Sequence, residues 1–331
     1  MFVYLLIISV LLINVNVSAK TSKRYVIPGG DSIGLQINTG VIISGKFEVK
    51  TNDGKKQPWE NSDIQVNDTI ISINGNLVNT ITDIQKIISK MKNNEIVEMV
   101  LLRNGKNIKT SITLVESLDG KLSFGLYVKD KILGVGTLTY IDPTDNTFAS
   151  LGHSVYSKSS GLDNSSLRNI SGEIVSTRIS GIRKAVPGIP GEKRAILDDD
   201  IKGIITNNND YGVFGIYTDP EIKKHKTVPV GQISDIKIGK ATIITVIGEN
   251  VKENYDIEII ELKNQVIPDV KGIKFKVTDE RLINETGGII QGMSGSPIMQ
   301  NGKIIGAVSH VVVDTPEYGY GVYLEWMLKN N

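Results

Sequence analysis

The sequence predicts a mainly β protein in two parts, residues 24–116 and 121–331, behind an apolar amino-terminal segment. Short Ile- and Val-rich runs recur between Asn-Gly and other glycine turns, the pattern of strands joined by tight connections. Composition agrees: there are 33 Gly and 10 Pro, and only 6% of residues are aromatic. At ~150 residues per domain, a chain of 331 residues holds about two.

From Phe2 to Ile13 the chain is apolar except for Ser9, then turns polar at Asn14 and Asn16 and reaches the small-residue triplet Val17-Ser18-Ala19. Residues 1–19 read as a secretory signal sequence or a membrane anchor. The run is shorter than the ~20 residues of a spanning helix. Its basic residues, Lys20, Lys23 and Arg24, follow the run instead of preceding it.

In the first part, Thr69 to Val78 is a strand, an Asn74-Gly75 turn and a second short strand. A helix follows, with Thr82 as cap, Gln85 completing a capping box, and Ile84, Ile87, Ile88 and Met91 on one face. Val97 to Arg103 and Lys106 to Leu114 flank Asn104-Gly105 as a hairpin. This order resembles a PDZ domain, above all in Val66-Asn67-Asp68-Thr69-Ile70 running into Ile73-Asn74-Gly75, and in Gly29-Gly30-Asp31-Ser32-Ile33-Gly34. The resemblance implies a module that binds an extended peptide by strand addition, with the N–H groups of Ser32, Ile33 and Gly34 taking a carboxylate. The same glycines also suit a plain tight turn.

In the second part strands follow at short spacing: Val135 to Ile141, Thr147 to Leu151, Glu173 to Ser180, Gly212 to Tyr217, Ala241 to Ile247, Asp256 to Leu262 and Lys274 to Thr278. Such a succession predicts a barrel or sandwich. Near the end stands Gly292-Met293-Ser294-Gly295-Ser296-Pro297, a serine between glycines ahead of an apolar strand. A serine nucleophile needs an exposed hydroxyl on a tight turn with N–H groups converging beside it, and Gly292 and Ser294 are the expected pair. Ser296 is the alternative nucleophile.

The sequence has no cysteine, which excludes thiolate catalysis, and three histidines. His153 follows a strand and precedes the serine; His225 lies in a basic run; His310 ends the strand after Ser294 and is the second choice of base. Between His153 and Ser294 lie Asp198, Asp199, Asp200, Asp210, Asp219, Asp235, Asp256, Asp269 and Asp279, and spacing selects none of them. Asp279 ends a strand, from which a side chain reaches a neighbouring strand end.

Phe148-Ala149-Ser150-Leu151-Gly152-His153-Ser154, Val277-Thr278-Asp279, Gln291 to Pro297, Gly302 to His310, Gly319 to Val322 and Glu325-Trp326-Met327 are similar to the SpoIVB-type sporulation serine peptidases. The resemblance spans essentially the whole chain. It implies a PDZ domain followed by a chymotrypsin-like double β-barrel, a triad of His153, Asp279 and Ser294, and substrate contacts from Ser309 and His310. It further implies secretion from the forespore into the space between two membranes, with membrane contact only through residues 1–19. Limited proteolysis there, of a regulatory subunit of a membrane-embedded protease complex, would trigger processing of the late mother-cell sigma factor; self-cleavage near the amino terminus is implied too.

Met293 stands where trypsin-type zymogens carry an aspartate, so control is expected to come from the PDZ domain. A formal charge of +1 excludes a generic nucleic-acid binder. No phosphate-cradling loop and no zincin pair of histidines occurs, so neither cofactor nor metal is expected. The alternative from another class is a non-catalytic PDZ adaptor with an inactive peptidase-like domain.

Overall fold

The structure, a computed structural model, describes residues 24–155 and 171–331. Residues 1–19, read above as a signal or anchor, lie outside the described residues. Among those described, no helix is long and apolar enough to cross a membrane.

The strands that matter are β1 (Tyr25–Pro28), β2 (Ser32–Lys46), β3 (Thr69–Ile73), β4 (Ile96–Arg103), β5 (Lys106–Thr113), β6 (Leu126–Ile141), β7 (Thr147–Ser150), β8 (Gly172–Arg183), β9 (Glu192–Asn209) and β10 (Gly212–Tyr217). After them come β11 (Gly239–Val246), β12 (Lys252–Leu262), β13 (Ile273–Val277), β14 (Pro297–Gln300), β15 (Lys303–Val311) and β16 (Tyr318–Tyr323). The helices are α1 (Ile81–Ile88), α2 (Glu280–Thr286) and α3 (Leu324–Lys329).

The last six strands close a barrel in the order β11-β12-β13-β16-β15-β14. Alternate residues point inward, among them Ile243, Ile257, Ile259, Phe275, Ile298 and Val322, all essentially inaccessible to water. The first barrel repeats that order. β1 and the start of β2 together serve as its opening strand beside β6, and the pairing runs on through β7, β10, β9 and β8. It closes because β2 pairs with both β6 and β8. Ile33, Leu35, Ile37, Phe148, Ile174 and Val213 fill it.

The PDZ module has its own core of Val41, Ile43, Ile70, Ile84, Met99, Leu101 and others. Two strands cross from it into the first barrel. β2 is 15 residues long and turns Ile33, Leu35 and Ile37 to the barrel core but Val41 and Ile43 to the PDZ core. Between them Gly40, at φ +70°, permits the bend. β6, 16 residues long, runs antiparallel beside it, from Leu126 opposite Lys46 to Thr137 opposite Ser32. Residues 24–37, expected in the PDZ part, therefore belong by pairing to the peptidase barrel, and the junction is a two-stranded ribbon.

Helix α1 starts two residues earlier than expected. Its cap is Thr80, with the Asp83 carboxylate returning to the Thr80 and Asn79 N–H groups. A carboxylate at the positive end of a helix outcompetes the neutral Gln85 amide for that place. Met91 lies beyond the helix end.

Candidate active site

His153 and Ser294 stand on equivalent connections of the two barrels, each between the third and fourth strands of its own. The Ser294 turn has φ +93° at both Gly292 and Gly295, a conformation that L side chains avoid. A Cβ on Gly295 would lie 2.0 Å from the Thr137 carbonyl oxygen and 2.4 Å from the Leu151 nitrogen. Glycine is thus required for the serine turn to seat against the strand and loop that carry His153.

Three hydrogen bonds from β6 tie the turn across the barrel boundary. Thr137 donates its N–H to the Ser294 carbonyl (2.9 Å) and its hydroxyl to the Gly292 carbonyl (2.8 Å). The Thr139 hydroxyl donates to the Gly295 carbonyl (2.8 Å). Both threonines are fully buried. With those carbonyls satisfied, the N–H groups of Met293 and Gly295 donate to Ile290 and Val308. The N–H groups of Gly292 and Ser294 donate to no described residue. They are the pair the sequence singled out as oxyanion donors. Met293 is inaccessible and packs in the second-barrel core.

The Ser294 hydroxyl is partly exposed and reaches the Ser309 carbonyl at 3.4 Å. Ser296, by contrast, is fully buried with its Oγ unpartnered, which removes it as an exposed nucleophile. The Ser309 hydroxyl turns away from Ser294, its single proton shared between the carbonyls of Val270 (2.6 Å) and Tyr320 (3.1 Å).

His153 is delivered by two consecutive left-handed residues, Leu151 at φ +70° and Gly152 at φ +68°. For the buried Leu151 that backbone costs about 1–3 kcal/mol, strain of the kind that accumulates at functional sites. His153 Nδ1 lies 2.8 Å from the Ser154 carbonyl. A carbonyl only accepts, so this contact places the proton on Nδ1 and leaves the Nε2 lone pair available. Burial pushes the imidazole below its ordinary pKa, partly offset by that hydrogen bond. No hydrogen bond joins His153 to Ser294 in this arrangement.

His310 lies beside it, ring centroids 5.5 Å apart. Its Nδ1 is buried without a partner among the described residues. Burial, His153 and Lys271 push it down to about 4 against the opposing pull of Asp269, so it is neutral at pH 7. The two histidines, Asp210, Tyr211, Asp269 and Val270 line a cavity of about 340 Å³. His225 is exposed and remote, beyond a short 3₁₀ turn.

Asp279 is not brought to His153. It caps α2, and its carboxylate accepts from the N–H groups of Asp256 and Arg281 and from the Arg281 guanidinium. The guanidinium holds its pKa below the usual range. Both oxygens are thereby engaged, and no hydrogen bond runs to the histidine. Ser32, Ile33 and Gly34 are likewise corrected: they lie within β2, paired with Thr137, Gly136 and Val135 on one edge and, at Ile33 and Gly34, with Ser176 and Val175 on the other. A strand with both edges paired cannot present its N–H groups to a peptide carboxylate.

Sequence reasoning missed Lys193. The β8–β9 hairpin reaches over to the second barrel, Ala185 N–H donating to the Thr286 carbonyl and Lys193 N–H to Gln291. That contact buries the Lys193 side chain beneath Gly292, its ammonium nitrogen 2.9 Å from Thr245 Oγ1. Burial alone pushes its pKa down to about 7.

Two barrels of one strand order, a glycine-flanked serine at their boundary and a histidine on the facing barrel define a chymotrypsin-like serine peptidase, here preceded by a PDZ domain. Residues 120–328 match the model of the SpoIVB peptidase S55 family and residues 35–114 that of the PDZ domain. The chain belongs to the SpoIVB peptidase S55 family. Among solved structures, it is similar to the active form of the Rv3671c protease from M. tuberculosis, at 15% identity and a TM-score of 0.33, covering 60% of this chain and 72% of that one. The inactive form of the same protease matches at 15% identity and 0.32, covering 59% and 81%. No curated protein matches the chain.

Proposed function

We propose that the protein is an endopeptidase that uses Ser294 as nucleophile and His153 as general base. The observation that carries this reading is the pair of N–H groups, Gly292 and Ser294, that donate to no described residue and bracket a partly exposed hydroxyl in a turn fixed from the other barrel. His153 Nε2 takes the proton of Ser294 as Oγ attacks the scissile carbonyl. The two N–H groups receive the oxyanion, and the imidazolium then protonates the leaving amine. Water repeats the sequence on the acyl-enzyme. The Ser309 backbone and His310 flank the substrate strand.

The PDZ module supplies the control that Met293 cannot. It grips the same β6 that carries Thr137 and Thr139, so its state acts on the nucleophile turn through one continuous strand. Membership in the SpoIVB family supports the physiological setting: secretion to the intermembrane space of a sporulating cell, self-cleavage, and cleavage of a regulator of a membrane-embedded protease that activates the late mother-cell sigma factor. The adaptor reading is disfavoured by the intact serine turn.

Intact-mass labelling of the full chain with a fluorophosphonate tests the proposal. One adduct, lost in Ser294→Ala and kept in Ser296→Ala, is the expected result; an adduct that survives Ser294→Ala refutes the nucleophile assignment.

A further inference from the structure

Lys193 is a buried lysine that the reaction described above does not use, and the hairpin that carries it is fitted to the segment just ahead of Ser294. The Gln291 N–H donates to the Gly191 carbonyl and the Lys193 N–H to the Gln291 carbonyl, both at 2.9 Å. A Cβ on Gly191 would lie 2.5 Å from Ile290 Cγ2 and from the Arg183 carbonyl oxygen, so the approach of the two segments requires glycine there. The Gln291 carbonyl and the Gly292 N–H are the two ends of one planar peptide unit and point in opposite directions. By holding that carbonyl, Lys193 therefore sets the direction of the Gly292 N–H.

Its side chain goes further. Cβ, Cγ and Cδ of Lys193 all lie within 3.2 Å of where a Gly292 Cβ would stand, so the stem runs directly beneath that residue. The ammonium ends 2.9 Å from Thr245 Oγ1 on β11, and both side chains are buried. No carboxylate among the described residues reaches it. Glu192, beside it on the hairpin, pairs with Arg183 and Arg194 at the surface. Glu253, opposite Thr245 on β12, is taken by the Tyr255 hydroxyl and Arg281, and Asp31 by Lys252. Burial alone accordingly lowers its pKa, to about 7. A buried cation without a counter-ion destabilises a fold, and a methionine would fill the same channel without that penalty. The reaction, however, creates a negative charge at the Gly292 N–H, where an unmatched positive charge is of use.

We propose that Lys193 is a positioning residue of the oxyanion site: its backbone aims the Gly292 N–H, and its ammonium, carried beneath Gly292, supplies the counter-charge for the oxyanion formed when Ser294 attacks. The proposal rests on the serine-peptidase reading above. The charge is present only while the amine is protonated, so attack is fastest between the deprotonation of His153, whose pKa burial lowers, and that of Lys193.

The test is the rate of fluorophosphonate labelling of Ser294 from about pH 5 to about pH 9, on the full chain, for wild type, Lys193→Met and Thr245→Val, with thermal unfolding recorded on each. The wild-type rate should rise with deprotonation of His153 and fall again above about pH 7. Lys193→Met should label about tenfold more slowly than wild type on the acid side of that fall, lack the falling limb, and melt at a higher temperature. A residue kept for packing alone would lose stability on replacement and leave the shape of the profile as it was. Thr245→Val removes the acceptor of the ammonium, which makes the amine harder to protonate and should move the falling limb to lower pH. The proposal is overturned if folded Lys193→Met keeps the wild-type profile, or is slowed by one factor at every pH. Should that variant fail to fold, an unmoved limb in Thr245→Val overturns it. A wild type that takes no label overturns the peptidase reading and this assignment with it, whereas a labelled wild type with an indifferent Lys193→Met removes only the assignment.

Discussion

In the second barrel every strand is local: residues 239–323 supply all six, with α2 inserted before the nucleophile turn. In the first barrel the opening strand, at residues 25–37, is separated from its partner β6 by the PDZ module. The same six-strand order is thus reached by local pairing in one half and by pairing across an inserted domain in the other. The difference teaches where regulation can enter. The half that holds Ser294 pairs all its strands locally, while the half that holds His153, and that braces the Ser294 turn with Thr137 and Thr139, is built on strands the PDZ module also owns.

The sharpest break comes from each half's own reactive group. Ser294→Ala should lower kcat on a peptide substrate by about 10⁴-fold or more while leaving thermal unfolding within experimental error, since a surface hydroxyl is all that is lost. Removing the inserted domain comes next. Excision of residues 24–116 would take away β1 and β2 and open the first barrel, so it reports folding and not control. Because Lys46 and Leu126 are antiparallel partners, replacing residues 47–125 with Asn-Gly keeps the ribbon as a tight hairpin. That variant should change kcat/KM by about tenfold or more; unchanged turnover in a folded variant removes the PDZ domain from the control of the site.

Cutting the brace between barrels is a smaller effect. Thr137→Val keeps the shape and the backbone bond but leaves the buried Gly292 carbonyl without its hydroxyl donor. About 1–2 kcal/mol of stability and roughly tenfold in kcat/KM should be lost, read by denaturant unfolding and steady-state kinetics.

The last effect, measured on stability and not on turnover, lies in the hairpin between the barrels. Lys193 has a folded pKa of about 7 against ~10.4 for an unfolded lysine. Between those values the unfolded chain binds a proton that the folded chain does not, so stability rises with pH from about 7 to ~10 and is lost again on acidification over that window. Lys193→Met should flatten that slope and raise stability at pH 7 by about 1–3 kcal/mol, checked by melting at pH 7 and pH 10. A slope identical to wild type would show that another group carries the titration.

The contrast between barrels also explains what could be read from the chain. Gly292 to Pro297 was legible because turn chemistry is local: glycine at positive φ on both sides of Ser294 has no cheaper substitute. Gly29 to Gly34 misled for the complementary reason. A glycine-rich bulge inside a barrel and a carboxylate-binding loop have the same composition, and what distinguishes them is β8, more than 130 residues away (Ser176 opposite Ile33). Asp279, at a strand end, has the look of a reaching residue. That it caps α2 and is held by Arg281 is decided by packing that no spacing reveals. Lys193 reads as a solvent-facing residue, and only packing of the hairpin on the second barrel buries it.

The ribbon of β2 and β6 has a consequence for the birth of the enzyme. The first of its strands leaves the ribosome before the PDZ module and the second after it, so the folding of that module brings Ser32 and Thr137 into register. The module thereby acts as a jig for a pairing that would otherwise require closing a long, unstructured loop. The first barrel waits for β10, and the serine turn, held by Thr137 on one side and by Val308 on the other, cannot assemble before Val308 has been added. Until Val308 is added, the Gly295 N–H lacks the carbonyl that holds it, so the serine turn is completed by a strand that follows it in the chain.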